Sequence, residues 1–425
     1  MKIAVIGTGI AGNVAAWHLC REHDVTVFEA GDHVGGHTHT HSIDDHGRPV
    51  AIDTGFIVYN DWTYPNFIAL LEELGVASQP GEMSFGVKCE QTGLEYKGHS
   101  INTLFAQRRN LLRPSFHRML RDIVRFNREA RSLLDAANKS LTLGDYLRDN
   151  HYSAAFTDYY IIPMGAAIWS AGPHRMLSFP AACFVRFFAN HGLLNIRKRP
   201  QWRVIIGGSR RYVDKLTAPF SRNIRLNTPV TGITRHATHV EICSSRHPAE
   251  RFDCVFIASH SDQALAMLRD ASLQEREVLG AIPYQCNDVV LHTDTSLLPR
   301  SRLAWSAWNY HRLAGDNARV SVTYNMNLLQ GLQTQQTFLV TLNNSAAIDP
   351  DRIIRRLSYD HPVFTAKGIA AQQRQGEING MNRTYYCGAY WRYGFHEDGV
   401  VSALNALAHF REKHGNEQLP LQRAS

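Results

Sequence analysis

Residues 1–41 read MKIAVIGTGIAGNVAAWHLCREHDVTVFEAGDHVGGHTHTH, and their order decides the fold. A short apolar strand (KIAVI) runs into a glycine turn and then into the opening of a helix. Gly7, Gly9 and Gly12 stand in G-x-G-x-x-G spacing, with Ile10 and Ala11 between the second and third glycines. Gly7 makes the sharp turn, Gly9 lets backbone approach a pyrophosphate, and Gly12 lets helix pack on sheet. The helix N-terminus then offers free N–H groups and the positive end of its dipole to phosphate. A second strand, DVTVFEA, ends at Glu29 and Ala30. Glu29 lies 22 positions after Gly7, where an acid meets the ribose hydroxyls of an adenosine half. The pattern predicts a Rossmann-like α/β unit binding an adenine dinucleotide. A second glycine pair, Gly35–Gly36, follows directly, with His37 and Thr38 after it. A nicotinamide-binding unit has no use for that pair. A flavin-binding unit does, because a second loop closes over the same pyrophosphate.

The remaining composition is that of an ordinary globular chain. Its 425 residues allow two or three domains, 44% are hydrophobic and 20% charged. A net charge of +7 permits an anionic ligand or surface without calling for nucleic acid. The seven cysteines are scattered, with no C-x-x-C pair, so neither a disulfide framework nor a zinc site is expected. Met1 leads almost directly into a strand, no signal-peptide pattern precedes it, and no apolar run approaches ~20 residues. A cytoplasmic protein is expected, at most peripheral to the inner face of a membrane.

Further along, HSIDDHGRPVAIDTGFIVYN reads as a hairpin turning at residues 44–47. Residues 62–200 read mainly as helices, among them YPNFIALLEELG, stopped by Gly75, and the amphipathic segment 114–137. Two apolar stretches, YYIIPMGAAIWSAGP and FPAACFVRFFANHGLL, are expected to be buried. Short strands dominate 223–259 and 284–345. DPDRIIRRLSYDHP then reads as helix, capped by Asp349 with Pro350 in its first turn. The C-terminal TYYCGAYWRYGFHEDGVVSALNALAHF reads as strand, glycine loop and helix. The alternation suggests a nucleotide domain assembled from 1–55, 202–268 and 382–415. A substrate domain of 56–201 and 269–381 is expected as an inserted α+β unit, its helical part joined to an antiparallel sheet. The substrate should lie between the two.

The blocks VIGTGIAG, FEAGDHVGGHTHT, IDTGFIVYN, FFANHGLL, RPQWRVIIGGSRRYV, LHTDTSLLPRSRLAWSAWNY and CGAYWRYGFHEDGVVSALNAL resemble the flavin-containing amine oxidase and phytoene desaturase superfamily, over almost the whole length. More closely, the chain is similar to short bacterial FAD-binding proteins found beside cyclopropane fatty acid synthases, and to the oxidase-like half of plant versions of those synthases. The resemblance implies a GR2-type FAD-binding domain with non-covalent FAD. Gly7, Gly9, Gly12 and Glu29 would hold the ADP half, Gly36 and His37 would line the pyrophosphate loop, and Val230 would meet the adenine edge. Gly388, Asp398, Gly399 and Val400 would lie at the flavin end, on a second helix N-terminus. His396 and Glu397 are the candidate catalytic bases beside it.

The departures from the amine oxidase pattern are equally specific. His37 stands where those enzymes usually carry an arginine, so cofactor affinity is expected to fall with rising pH. Phe395 falls near one position of their aromatic cage, with Trp391 and Tyr393 as neighbours. Cys387 reads as structural. The implied reaction is removal of two hydrogens from a modified fatty acyl chain of a lipid. The alternatives are a flavin amine oxidase, a non-catalytic flavin-holding accessory of a lipid methyltransferase, and a redox-neutral isomerase.

Three features remain open to two readings each. His37, His39 and His41 alternate on one strand face, but without second-shell acids no metal is expected. Asp53 and Gly55 either shape the loop under the flavin or serve a turn. Arg118, Arg121, Arg125 and Arg128, preceded by Arg108, Arg109 and Arg113, form either a solvated basic face or a contact for an anionic membrane.

Overall fold

The structure, a computed structural model, describes residues 1–134, 141–315 and 320–415. The ends of two expected elements, 135–137 of the long helix and 318–319 of a strand, lie outside the described residues. A five-stranded parallel sheet carries the glycine turn. Its order is Ile224–Arg225, Asp24–Phe28, Lys2–Ile6, Cys254–Ile257 and Thr384–Tyr386. Ile3 and Val5 face one buried cluster with Val25, Val27 and Phe256, while Ala4 and Ile6 face another with Val255 and Ile257. Both faces are therefore covered, as a parallel sheet requires. The first helix (Ile10–Leu19) and the last (His396–His414) lie together on the first of those faces.

A seven-stranded sheet forms the second layer system. Its order is Ile353–Pro362, Tyr284–His292, Leu339–Leu342, Ser321–Asn325, Trp308–Arg312, Phe85–Cys89 and Glu95–Lys97. It is antiparallel except where Trp308–Arg312 runs beside Phe85–Cys89. An aromatic-rich helical body built from Pro114–Glu129, Leu143–Asp149, Ile162–Trp169 and Ala181–Asn190 packs against it. The expected hairpin is present as Thr40–Asp45 and Arg48–Asp53. His46 and Gly47 turn it with φ of 54° and 87°, the positive values a two-residue hairpin needs. Among the described residues no helix is long and apolar enough to cross a membrane.

Two expectations are corrected. The helix-rich stretch 62–200 also supplies the strands Phe85–Cys89 and Glu95–Lys97. More consequentially, DPDRIIRRLSYDHP is not a helix. Asp349 does cap a turn, accepting from Asp351 N–H at 3.1 Å, but the turn ends at Arg352. Ile353–Pro362 then runs as a ten-residue strand paired antiparallel to Tyr284–His292. Beyond an irregularity at its first residues the strand alternates, with Arg355, Leu357, Tyr359 and His361 on one side, and Leu357 and Tyr359 pack on the core under the sheet, whereas Ile353 packs on the other face beside Val290. Long-range pairing has overridden a local start signal. Trp202–Ile205 forms a separate small sheet with Tyr59–Asn60 and Ser78–Pro80.

A methyl group on Gly12 would overlap the Gly7 carbonyl oxygen and come within 3.0 Å of Ala258 Cβ. Gly12→Ala is therefore expected to cost ~1–3 kcal/mol. Chemical denaturation should give a lower midpoint, and the purified variant should retain less flavin.

Candidate functional site

The dinucleotide cleft is built around the turn out of the first strand. Gly7 adopts φ 98°, and Gly9 begins the first helix with no side-chain cap and no acid in the first turn. Its N–H groups at Ile10, Ala11 and Gly12 are thus left to a ligand. Where a Gly9 side chain would stand there is open space. Gly35 and Gly36, at φ 129° and 59°, fold the second loop over this turn, and a Gly36 Cβ would sit 3.1 Å from the Gly9 Cα. Thr8 joins the two loops: its Oγ1 accepts from Gly35 N–H at 3.3 Å, while its N–H donates to Glu29 Oε2 at 2.9 Å. Glu29 Oε1 accepts from Gly31 N–H at 2.8 Å, with the exposed Ala30 between them. The segment leading to Val230 runs alongside, since Thr228 N–H donates to Glu29 O at 2.8 Å and Asn227 N–H to Gly31 O at 2.8 Å.

The last helix brings the C-terminal motif to the same place. Gly399 lies against Ile10, so closely that any side chain there would overlap the isoleucine. Val400 is buried behind it, and Gly388 N–H donates to Ser402 Oγ at 2.8 Å one turn further on. Two helix N-termini thus converge on one cleft, a double positive pole for a pyrophosphate and for charge on a reduced ring. These residues fit FAD. The cradle is glycine where backbone must approach, the N–H groups are uncapped, Glu29 sits at the ribose end, and the buried His37 Nε2 has no hydrogen-bond partner.

The three polar residues that open the last helix each have protein partners. His396 Nε2 lies 3.0 Å from Thr38 Oγ1 and 2.9 Å from the Tyr212 hydroxyl, and those two oxygens are 2.6 Å apart. Its ring stacks on Phe56 at 3.4 Å, and burial keeps the imidazole neutral, well below its usual range. Glu397 caps the helix Pro65–Glu73, accepting from Asn66 N–H at 3.1 Å and Phe67 N–H at 2.8 Å. Asp398 accepts from Phe395 N–H at 2.9 Å and Tyr393 N–H at 3.2 Å, with Arg392 at 3.6 Å. Burial pushes its carboxyl up to about 7. His396 and Glu397, the candidate bases, are thus both tied to protein partners at the cleft.

His37 is the neutral member of a histidine cluster. Its ring lies 5.5 Å from that of His361 and 5.9 Å from that of His260, and burial, then these two imidazoles, push it down to about 3. The expected loss of cofactor affinity with rising pH therefore does not come from His37 in this state, which is uncharged throughout the neutral range. His33 stacks on His39 at a centroid spacing of 3.9 Å, and His41 lies tilted against His39 at 4.0 Å. Asp53 ties the hairpin to the glycine loop before residue 210, accepting from Ser209 N–H at 3.0 Å, Ser209 Oγ at 2.7 Å and Gln330 Nε2 at 3.1 Å. Burial holds it up at about 6. Gly55 leaves room for the His37 carbonyl, which accepts from Phe56 N–H at 2.8 Å.

Sequence reading missed the slot beside His361, because that residue lay in the segment expected to be helical. A small, partly open slot is walled by Trp169, Phe179, Pro362, Val363 and Phe364, with Ser170, Gln285, His361 and Arg175 as its polar members. None of its lining residues is acidic. The exposed Arg175 donates to Gln285 Oε1 at 2.9 Å. His361 Nδ1 lies 3.0 Å from Ser170 Oγ and 3.3 Å from Asn287 Nδ2. The Phe187 ring lies 4.8 Å from Trp169 and 5.3 Å from Phe395, so the aromatic cluster behind the slot extends to Phe395 and Tyr393, which line a separate pocket with Glu397 and Asp398. Trp391 points elsewhere and packs on Tyr390 at 5.0 Å, so it joins no cage. Cys387 is fully buried, its thiol pushed up to about 12, as befits a packing residue.

Comparison with known proteins agrees with this geometry. The family described as "Flavin containing amine oxidoreductase" matches residues 10–332. The putative flavin-containing monoamine oxidase AofH of Mycobacterium tuberculosis is 28% identical over 262 residues, 59% of this chain and 55% of that protein. The chain thus spans just over half the length of that relative. Tryptophan 2-monooxygenase of Allorhizobium ampelinum is 39% identical over 104 residues, 24% of this chain and 14% of that protein. Cyclohexylamine oxidase from Brevibacterium oxydans superposes with a TM-score of 0.70 at 17% identity, covering 97% of this chain and 99% of that one. A fatty acid isomerase from P. acnes superposes with a TM-score of 0.65 at 17% identity, covering 96% and 98%. The shared glycine cradle, the converging helix ends and the matched pattern lead to one conclusion: the chain belongs to the flavin-containing amine oxidoreductase family, and its cofactor is FAD.

Proposed function

We propose that the protein is an FAD-dependent oxidoreductase that removes two hydrogens from a modified fatty acyl chain of a lipid, as a desaturase or dehydrogenase. The observation that carries this reading is the slot beside His361, which is aromatic and aliphatic and bears an arginine but no carboxylate. An alkylammonium desolvated there would lack a counter-charge, and an unpaired buried cation is costly. An apolar chain gains about 25 cal/mol for each Å² it removes from water. The fold itself does not choose, since amine oxidases and a fatty acid isomerase share it.

Bound FAD supplies a two-electron acceptor that takes the hydride, so the second hydrogen must leave as a proton to a protein base. A C–H next to an existing double bond is the better hydride donor, because the developing cation is delocalised. That favours desaturation beside a pre-existing double bond. Among the residues lining the slot, His361 is the group suited to receive the proton. Burial, then His260, push it down to about 4, so it is neutral and proton-accepting at neutral pH. Ser170 and Asn287 fix its Nδ1 side. His396 and Glu397, engaged by Thr38, Tyr212, Asn66 and Phe67, act as positioning residues.

The holoenzyme mixed anaerobically with phospholipids or fatty acids should bleach its flavin and return a product lighter by two hydrogens. Bleaching by primary amines, with none by lipids, would sink the reading. His361→Gln should slow that reduction by ~10²-fold or more while leaving flavin absorbance intact. The wild-type reduction rate should be flat above neutrality and fall as acid protonates His361 near its lowered value of about 4. A variant that keeps both rate and pH profile would remove His361 from the reaction.

A further inference from the structure

Between Tyr96 and Arg121 the chain contains no aspartate or glutamate, yet it carries Lys97, Arg108, Arg109, Arg113, Arg118 and Arg121. The structure changes which arginines of this region are available. Arg125 lies 3.7 Å from both Asp122 and Glu129 and stacks over Tyr152 at 4.0 Å, and Arg128 pairs with Glu129 at 3.1 Å. The basic face expected along the whole helix Pro114–Glu129 is therefore neutralised at its C-terminal half. Arg108 donates to Asn102 Oδ1 at 2.7 Å and to Phe105 O at 2.8 Å, and Arg109 to Gly93 O. Those contacts orient the guanidinium groups without cancelling their charge. Among the described residues no carboxylate pairs with Arg108, Arg109, Arg113, Arg118 or Arg121, and all but the half-buried Arg113 are exposed.

The same surface holds two of the most exposed large apolar side chains of the molecule, Leu112 at 88% and Ile101 at 78%, with Leu111 at 50% beside Leu112. The pieces form one platform. Arg108 binds the short helix Ile101–Leu104 to the turn Arg108–Leu112, and His117 Nε2 lies 2.8 Å from Leu111 O, fixing the turn to the long helix. Beneath it, the Phe105 and Phe116 rings meet at 5.5 Å. Water-facing leucines beside unpaired arginines suit neither a solvated face nor a phosphodiester groove. They match the headgroup and upper acyl region of a bilayer, where arginine meets phosphate and leucine meets hydrocarbon.

We propose that this platform, Ile101, Leu111 and Leu112 ringed by Arg108, Arg118 and Arg121, docks the protein on an anionic lipid bilayer. The argument rests on charge and exposure and stands apart from the reading of the substrate. The test is co-sedimentation of the full-length holoprotein with vesicles. Binding is expected to vesicles of phosphatidylglycerol and phosphatidylcholine in equal parts, weakening with salt, and not to phosphatidylcholine alone. Leu112→Asp and the pair Arg118→Glu with Arg121→Glu should each weaken binding at least about tenfold. Leu273→Asp, at an apolar residue exposed elsewhere, should bind as wild type, and all should keep their flavin absorbance. Wild-type protein that ignores anionic vesicles overturns the proposal and leaves a protein partner, such as a lipid methyltransferase, to cover the platform. Platform variants that bind like wild type overturn it as well.

Discussion

The close approach of the first and last helices is the constraint that shapes the cleft. Gly399 on the last helix fits only because nothing projects from it toward Ile10. That contact sets the two N-termini side by side, the first of them with neither a side-chain cap nor an acid in its first turn to engage its N–H groups. Proteins usually satisfy such groups with a serine or an acid one turn ahead. Here the first helix begins at glycine, and the second is closed on one flank only, by Asp398. An anionic cofactor supplies the missing acceptors, so the geometry that would weaken an ordinary helix end defines the binding site.

Around this pair the structure replaces charge with buried, neutral polar contacts. Thr38, Tyr212 and His396 form a closed triangle, and Asp53 gathers Thr40, Ser209 and Gln330. Each joins segments far apart in sequence: the second glycine loop, the hairpin, the helix Arg210–Thr217 and the C-terminal motif. Burial holds His396 and His361 neutral at neutral pH, and the carboxylates of Asp53 and Asp398, whose ionisation burial disfavours, are engaged by backbone and side-chain donors. Unpaired charges there would compete with the ligand for the helix dipoles. Fully satisfied networks of this kind also hold a site rigid.

How much could be read in advance depends on the range of the interactions. Gly7, Gly9, Gly12, Glu29 and the pair Gly35–Gly36 were legible because their tasks are local: a turn, a close approach, an acid at a strand end. The C-terminal helix start at His396 was legible for the same reason. The contacts of His396 and Glu397 were not, since their partners Tyr212 and Asn66 lie far away in the chain. Ile353–Pro362 was not legible as a strand because Asp349 and Pro350 give an authentic helix-start signal that lasts one turn. Only pairing with Tyr284–His292 draws the residues beyond that turn into the sheet. The same signal hid His361, and with it the slot. The arginine-rich helix is visible in the sequence, but pairing with Asp122 and Glu129 is a matter of side-chain reach that periodicity does not encode.

The parallel sheet has a consequence for biogenesis. Its central strands, Lys2–Ile6 and Asp24–Phe28, leave the ribosome first, whereas Cys254–Ile257 and Thr384–Tyr386 arrive after most of the chain has been made. Until then Lys2–Ile6 has an unpaired edge and an apolar face awaiting the last helix, the kind of surface that recruits chaperones or aggregates. The cleft is therefore complete only once the last helix, with Gly399 against Ile10, has been made.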